Sequence, residues 1–341
     1  MNKHFHWLIA VLFIGLLAAC NSEERKNEKE PDHSETSELE IINKRISKDS
    51  TNPELYNLRA QYHINQTEIN KALSDINKAI QLDDQNPDYL ITLSDIYLAM
   101  GQADKCEEAL LKAHQLDEEN NDILLKLAEI NFLVRDYKEA IGYLNTIIER
   151  DASLPMPYII KGYAYLEGGD TARAIDNFRQ AAGRDPENYE ANFQLGLVHA
   201  ARGEEIAEDY FKKALNTNPN SKETLYGLAM YYQNTYEIDK ALEHYQRIVV
   251  LDSNFKNAYY NMGYINLVFK ENFEEARKNF NKAVQADPKY VNAVYNRGYC
   301  NELLGDYNKA RADYQKVLEL HTNYQKAIDG LNRLDQIRLQ E

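Results

Sequence analysis

Small residues recur along the chain at an almost fixed interval of 34 residues, and this period constrains the fold more than any other feature of the sequence. One column, with intervals of 33 to 35 residues, contains Ala72, Cys106, Ala140, Ala174, Ala207, Ala241, Ala276 and Ala310. A second column runs in step with it through Ala60, Ser94, Ala128, Gly162, Gly196, Ala229, Gly263 and Gly298. Periods of this length are typical of stacked structural repeats. We therefore predict a repeat protein.

Proline and glycine indicate where the repeats are divided. The chain has only 14 glycines and 8 prolines in 341 residues, which leaves little material for many strands and tight turns. Six prolines fall between one repeat and the next, at positions 53, 87, 155, 186, 219 and 288. Proline is tolerated at a helix start but costs about 3 kcal/mol in a helix interior. The pattern predicts helices bounded by turns.

These columns, with the turn segments GQADKC (101–106) and GDYNKA (305–310), resemble the tetratricopeptide repeat (TPR), which consists of two antiparallel helices, A and B. The resemblance implies an all-α TPR solenoid, a right-handed superhelix of about eight helix pairs with capping helices. The implied repeats span about 53–86, 87–120, 121–154, 155–188, 189–221, 222–255, 256–290 and 291–324. Apolar stripes predict an N-terminal capping helix over 35–50 and a C-terminal one over 325–341.

The N-terminal segment reads as a targeting signal. Residues 5–17 form an apolar run of signal-peptide length, too short to span a bilayer. The following Leu17-Ala18-Ala19-Cys20 resembles the bacterial lipobox, which implies removal of 1–19 and acylation of Cys20. Residues 20–34 then form a charged tether. The alternative is an ordinary signal peptide with an incidental cysteine. We expect an outer-membrane lipoprotein, and the sequence leaves open whether it faces the periplasm or the cell surface.

Charge and motif content exclude several function classes. The 39 basic and 54 acidic residues give a formal charge of −15, which argues against nucleic-acid binding. No nucleophile elbow, phosphate loop or metalloprotease motif is present, and the histidines are scattered, so we expect no enzymatic activity, no cofactor and no metal. Cys106 and Cys300 stand in small-residue environments and are predicted to be buried structural thiols.

The resemblance also implies a binding surface, because in this family the concave face is lined mainly by the A helices. The aromatic residues at the expected positions are Phe132, Tyr163, Phe193, Tyr226, Tyr260, Tyr264, Tyr295 and Tyr299. The acidic residues there are Glu54, Asp88, Asp122, Glu190 and Glu223. Aromatic side chains on a concave surface are frequent recognition residues.

We therefore predict a non-enzymatic scaffold that is anchored to the cell envelope. Its partners would be envelope proteins that offer extended or helical segments with apolar anchors and basic residues. Lipidated Cys20 would attach it to the membrane, and its oligomeric state stays open. The alternative is a surface lipoprotein that binds glycans or nutrients by stacking sugars on the tyrosine rings.

Overall fold

The computed structural model describes residues 38–338. The predicted signal segment, Cys20 and the charged tether lie outside the described residues. Within residues 38–338 the chain forms 18 α-helices and no β-strand, which confirms the predicted all-α architecture. None of these helices is both long and apolar enough to cross a membrane.

The helices follow one another in pairs, joined by short turns. They are α1 (Glu38–Lys48), α2 (Pro53–Asn65), α3 (Ile69–Leu82), α4 (Pro87–Ala99), α5 (Ala103–Leu116), α6 (Asn121–Leu133), α7 (Tyr137–Arg150), α8 (Met156–Glu167), α9 (Thr171–Arg184), α10 (Tyr189–Ala201), α11 (Ile206–Thr217), α12 (Lys222–Asn234), α13 (Ile238–Leu251), α14 (Lys256–Val268), α15 (Phe273–Ala286), α16 (Val291–Leu303), α17 (Tyr307–Leu320) and α18 (Gln325–Arg338). The even-numbered helices from α2 to α16 are the A helices, and each packs on the B helix that follows it.

The chain divides into two compact units. The first ends at Gln85 and contains α1, α2 and α3; the second begins at Asn86 and contains α4 to α18. In the first unit the Arg59 guanidinium on α2 forms two hydrogen bonds with the Asp75 carboxylate on α3, at 2.6 and 2.8 Å. In the second unit Arg297 on α16 makes the equivalent paired contact with Asp313 on α17, at 2.6 and 3.1 Å. The same ion pair thus ties an A helix to its B helix in both units.

Asparagine caps begin several of the A helices. The side-chain oxygens of Asn52, Asn86 and Asn120 each accept a hydrogen bond from the backbone N–H two residues further along. Such a cap satisfies one of the donors left free at a helix start. Pro53 and Pro87 then occupy the first helical position, where the missing N–H is not needed.

The turn from an A helix to its B helix requires one residue in the left-handed region. Glycine fills this place in four repeats, with φ between 68° and 83°, at Gly101, Gly169, Gly203 and Gly305. The other four repeats place a side chain there, at Thr67, Arg135, Tyr236 and Glu271. Such residues are strained by about 1 kcal/mol or more relative to glycine.

The small-residue columns lie where the A and B helices approach most closely. Gly196 on α10 faces Phe211 on α11, and a Cβ atom at Gly196 would lie 2.6 Å from a ring carbon of Phe211. Gly162 and Gly263 face Phe178 and Phe280 in the same way, at 2.5 and 2.8 Å. These glycines of the A helices therefore leave room for large, fully buried phenylalanine rings on the B helices.

Both cysteines of the described region are buried in this packing. Cys106 is on α5 and Cys300 on α16, and both are free thiols. Burial raises the pKa of the Cys106 thiol to about 11 and that of Cys300 to about 12. The predicted burial of both thiols is confirmed.

Candidate functional site

Four of the predicted surface residues are buried, so the structure corrects their assignment. Tyr163 is 1% exposed, Glu190 is 7% exposed, and Phe132 and Phe193 are also buried. A buried side chain offers a partner almost no contact area. We therefore assign these four residues to the packed layer beneath the surface.

Tyr163 and Glu190 are buried because they satisfy each other across two successive A helices. The Tyr163 hydroxyl on α8 donates a hydrogen bond to the Glu190 carboxylate on α10. Gln194 Nε2 donates to the same carboxylate oxygen at 2.9 Å. Burial raises the pKa of the Glu190 carboxyl and the pKa of the Tyr163 hydroxyl. Tyr163, Glu190 and Gln194 thus form a buried polar cluster between the helices.

Neighbouring aromatic rings cover Phe193 and Phe132. The Tyr189 ring stacks on Phe193 with centroids 5.7 Å apart and an angle of 11° between the planes. Phe132 packs against Tyr137, with ring centroids 5.5 Å apart. In both cases the predicted residue is covered by a tyrosine that lies four or five residues away along the chain.

The predicted tyrosines of the last three repeats, by contrast, are only half-buried. Tyr226 on α12, Tyr260 on α14 and Tyr295 on α16 occupy the same position of their A helices. Each ring pairs with an aromatic residue that lies just before the next even-numbered helix, which is α14, α16 or α18. The ring centroids are 5.7 Å apart for Tyr226 and Phe255, 5.0 Å for Tyr260 and Tyr290, and 5.4 Å for Tyr295 and Tyr324. We call these three pairs the rungs of an aromatic ladder.

A third aromatic ring packs against the A-helix tyrosine of each rung. Tyr226 packs on Tyr245, Tyr260 on Phe280 and Tyr295 on Tyr314, with ring centroids 5.6 to 5.8 Å apart. These supporting rings are on the B helices and are fully buried. Each rung therefore packs on a buried ring, while its own two residues are partly exposed.

Asparagine side chains connect one rung to the next. Asn261 Nδ2 on α14 donates a hydrogen bond to the Tyr226 hydroxyl at 3.1 Å, and Asn296 Nδ2 on α16 donates to the Tyr260 hydroxyl at 3.2 Å. At the last rung the Tyr324 hydroxyl donates to Asn292 Oδ1 at 3.0 Å. Burial raises the pKa of the Tyr226 and Tyr260 hydroxyls above the ordinary tyrosine value.

The sequence interpretation missed Phe255, Tyr290 and Tyr324, which form the second half of every rung. Phe255 and Tyr290 occupy the cap positions of α14 and α16, where neither makes a side-chain capping bond. Losing an Asn or Ser cap costs about 0.5 to 2 kcal/mol. The detectable signal was a column with Asn or Ser in five of the first six repeats, which changes to Phe255 and Tyr290 in the last two.

Tyr264 and Tyr299 lie beside the ladder one helical turn further along. The Tyr299 ring is parallel to Tyr295, with centroids 6.4 Å apart. Tyr264 is 36% exposed and contacts the Phe269 ring edge-on at 6.3 Å. Both predicted residues therefore extend the aromatic surface.

The remaining predicted acidic residues are exposed in the first turn of their A helices. Glu54 belongs to the first unit, whereas Asp88, Asp122 and Glu223 belong to the second. A carboxylate at this place stabilises the helix through its dipole by about 0.3 to 1 kcal/mol. Its exposure also leaves it accessible to a basic ligand.

A charged cluster lies on α4 and α6 of the second unit. Lys126 Nζ forms an ion pair with Asp95 at 2.6 Å. Burial raises the pKa of the nearby Glu129 carboxyl to about 7, and the Asp95 charge adds to the effect while Lys126 opposes it. Between residues 38 and 338 no group of three His, Cys, Asp or Glu side chains could hold a metal ion.

Comparison with known proteins identifies the repeat. The tetratricopeptide-repeat profiles match residues 53–86, 91–155, 161–205 and 265–326. The chain belongs to the tetratricopeptide-repeat family. TPR proteins generally act as scaffolds for protein–protein interactions, and the family is generally non-catalytic.

Curated relatives match only part of this chain. Over 121 residues the chain is 26% identical to anaphase-promoting complex subunit 3 of Schizosaccharomyces pombe. This match covers 35% of this chain and 18% of that protein. Over 122 residues it is 30% identical to the type IV pilus assembly protein PilF of Pseudomonas aeruginosa. That match covers 33% of this chain and 46% of that protein. The chain thus spans less than half the length of either relative.

Solved TPR structures share the fold. The C-terminal part of a TPR protein from Cytophaga hutchinsonii superposes with a TM-score of 0.61 at 19% identity, covering 71% of this chain and 99% of that one. A TPR protein from Parabacteroides merdae gives a TM-score of 0.52 at 18% identity, covering 73% of this chain and 99% of that one. At these identities the likeness describes the fold alone.

Proposed function

We propose that this protein is a non-enzymatic scaffold that binds segments of partner proteins on the aromatic ladder of its last three repeats. The half-buried rungs are the observation that carries the proposal. Phe255 and Tyr290 are aromatic residues at a position where five of the six preceding repeats have an Asn or Ser side chain that caps the helix. A partly exposed aromatic ring at such a position is well suited to recognition.

The exposed carboxylates supply the second element of the proposal. Asp88, Asp122 and Glu223 would attract basic residues of a partner toward the second unit, because opposite charges accelerate encounter. Glu223 is three residues before Tyr226 on α12, so the two side chains share a helix face. A suitable segment would therefore carry apolar anchors together with Lys or Arg.

The proposed location is the bacterial cell envelope. Cys20, acylated after removal of 1–19, would hold the protein on the outer membrane, and residues 20–34 would tether the folded region. Several acyl chains retain a protein on a membrane far more durably than one. The partners in this setting would be other envelope proteins.

The binding surface is tested by removing two rungs from the full chain. A partner is first captured from an envelope fraction, and its affinity for the wild type is then compared with that for Tyr260→Ala plus Tyr295→Ala. Truncation of a contact hot spot typically costs about 2 kcal/mol, so the double variant should bind roughly a thousandfold more weakly. Raising the salt concentration should slow association, because the carboxylates act at long range.

Tyr307→Ala is the matched control, because Tyr307 is an exposed tyrosine at the start of α17 and outside the ladder. It should leave the affinity unchanged, and circular dichroism should show that all variants keep their helicity. Unchanged affinity in the double variant would place partner binding elsewhere on the protein.

A further inference from the structure

The turn between α12 and α13 holds a tyrosine that the fold itself does not explain. Tyr236 is 76% exposed, and its backbone lies in the left-handed region with φ of 64°. Glycine takes this turn position in four other repeats, and glycine adopts the conformation without steric strain. A ring that is mostly exposed contributes little to folding, so the packing of the protein does not account for a tyrosine at this position.

The turn of the next repeat places a second ring against Tyr236. Phe269 directly follows α14, is 38% exposed and meets the Tyr236 ring edge-on, with centroids 6.0 Å apart. This turn is one residue longer than the turn that contains Tyr236. Its Lys270 Nζ forms an ion pair with the Asp239 carboxylate on α13 at 2.8 Å. A ring contact and an ion pair therefore join the two turns.

Tyr264 connects these two rings with the aromatic ladder. The Tyr264 and Phe269 rings are in edge-on contact, with centroids 6.3 Å apart. Tyr264 is four residues after Tyr260 on α14, so the two tyrosines share a helix face. Val268, beside Phe269 in sequence, is 47% exposed. Exposed apolar side chains thus continue from the ladder to the turns, and we call them the edge patch: Tyr236, Tyr264, Val268 and Phe269.

Charges beside the edge patch favour a protein partner over a lipid surface. Residues 235–240 and 268–272 carry three carboxylates, Glu237, Asp239 and Glu271, and two ammonium groups, Lys240 and Lys270. Anionic lipids attract clusters of basic residues, and these two segments contain no such cluster. Removal of apolar surface from water is favourable, so neighbouring exposed apolar side chains indicate a contact with a partner.

We infer that the edge patch binds a bulky apolar side chain, such as Leu, Ile, Met or Phe, of the same partner segment that lies on the aromatic ladder. The segment then continues from Tyr260 across Tyr264 to the Tyr236 ring. Contact with this side chain removes the edge patch from water, which gives the exposed tyrosine a role in binding that glycine could not fill. This inference rests on the proposed function, because it specifies a further contact of the same partner.

Cross-linking from single positions tests whether one segment reaches both surfaces. The photoreactive residue p-benzoylphenylalanine replaces Tyr264, Tyr236 or, as a control, Tyr307 in the full chain, and each protein is irradiated with an envelope fraction. Positions 264 and 236 should cross-link the same partner, and mass spectrometry should map both links to one segment with an apolar residue at the link to position 236. Tyr307 lies at the start of α17 and outside the edge patch, so position 307 should not link that segment.

A synthetic peptide of the mapped segment then measures the contribution of Tyr236. Tyr236→Gly in the full chain should weaken binding of the peptide about tenfold, since a contact ring is lost. Serine in place of the linked apolar residue of the peptide should have a similar effect on the wild type and little further effect on Tyr236→Gly, because the two groups act as a pair. An unchanged affinity in Tyr236→Gly would overturn the inference.

Arg135→Gly is the matched control, because Arg135 is exposed and takes the same turn position in the third repeat, with φ of 68°. It should bind the peptide as the wild type does. Neither variant should lower the melting temperature, because glycine relieves the left-handed strain in both turns. A lower melting temperature in Tyr236→Gly alone would assign this tyrosine a structural role and would contradict the inference.

The two levels of the proposal fail in different ways. If position 264 cross-links a partner segment and position 236 does not, the scaffold function stands and the inference about the edge patch is wrong. If position 264 links no protein and the double variant Tyr260→Ala plus Tyr295→Ala binds as the wild type does, the proposed function fails and the inference fails with it. A link from position 236 to lipid or to a second copy of this chain would also overturn the inference.

Discussion

The side-chain amide of Asn261 donates a hydrogen bond to the hydroxyl of Tyr226, which lies 35 residues earlier on the preceding A helix. The same amide nitrogen is 2.9 Å from the Tyr245 hydroxyl on the intervening B helix. One asparagine therefore joins three helices and fixes the first rung.

Replacing Asn261 should loosen this junction. Asn261→Ala leaves the Tyr226 hydroxyl without its donor, so we expect the free energy of unfolding to fall by about 1 to 3 kcal/mol. Urea denaturation followed by circular dichroism measures the change. Asn234→Ala, at an exposed position near the end of α12, is the control and should change stability little. Equal stability of the two variants would contradict the linking role of Asn261.

The glycine columns predict a sharp dependence on position. Gly196→Leu must displace the Phe211 ring, so overpacking should cost at least about 1 to 3 kcal/mol. Gly142→Ala is the matched control, because a Cβ there meets nothing within 4 Å in the interior of α7, and it should stabilise the protein by up to about 1 kcal/mol. Thermal melts of both variants check these opposite signs. An unchanged melting temperature for Gly196→Leu would contradict close packing at this column.

The raised pKa of Glu129 predicts a pH-dependent stability. Its folded pKa of about 7 exceeds the ordinary value, so the folded state retains a proton that the unfolded chain has already released between about pH 4.5 and 7. Stability from this group is therefore lost as the pH rises through that window. Glu129→Gln should match the wild type near pH 4 and exceed it by about 1 to 2 kcal/mol at pH 8, less than the full shift because the side chain is partly solvated.

Chemical denaturation at several pH values measures the difference. Glu149→Gln, at an exposed position on α7, should follow the wild type throughout. A Glu129→Gln curve parallel to the wild-type curve would show that Glu129 titrates normally.

Thiol labelling probes the cysteine columns. In a Cys20→Ser background only Cys106 and Cys300 remain, and with a pKa of about 11 the Cys106 thiol is roughly one part in a thousand thiolate at pH 8. We expect negligible reaction of either thiol with a disulfide reagent until denaturant is added, followed by reaction of both. Rapid labelling of the native protein would indicate local opening of α5 or α16.

The membrane anchor is tested by the same substitution. Cys20→Ser should abolish incorporation of a radiolabelled fatty acid and leave uncleaved or mislocalised precursor, because the proposed acylation site is lost. Metabolic labelling in a bacterial host, with the wild type alongside, measures the incorporation. Equal labelling of the two proteins would rule out Cys20 as the acylated residue.

The fold was predictable because its determinants repeat. Small residues such as Gly196 must recur wherever a ring such as Phe211 fills the space between helices, so packing leaves a periodic record in the sequence. Half of the aromatic ladder was predictable for the same reason, since Tyr226, Tyr260 and Tyr295 share one column. The burial of Tyr163 was not, because it depends on Glu190 in the following repeat and not on the column itself. Phe255 and Tyr290 escaped notice because cap residues lie outside the helical periodicity.

The similar make-up of the three rungs bears on how a long partner would be held under the proposed function. A repetitive segment longer than the ladder, with a repeat that matches the rungs, could align with it in several shifted registers, each using all three rungs. Binding would then gain a statistical advantage from the number of registers, without any new contact. The partner could also slide by one rung at a time without full dissociation, so the protein would act as a guide along the segment more than as a fixed clamp.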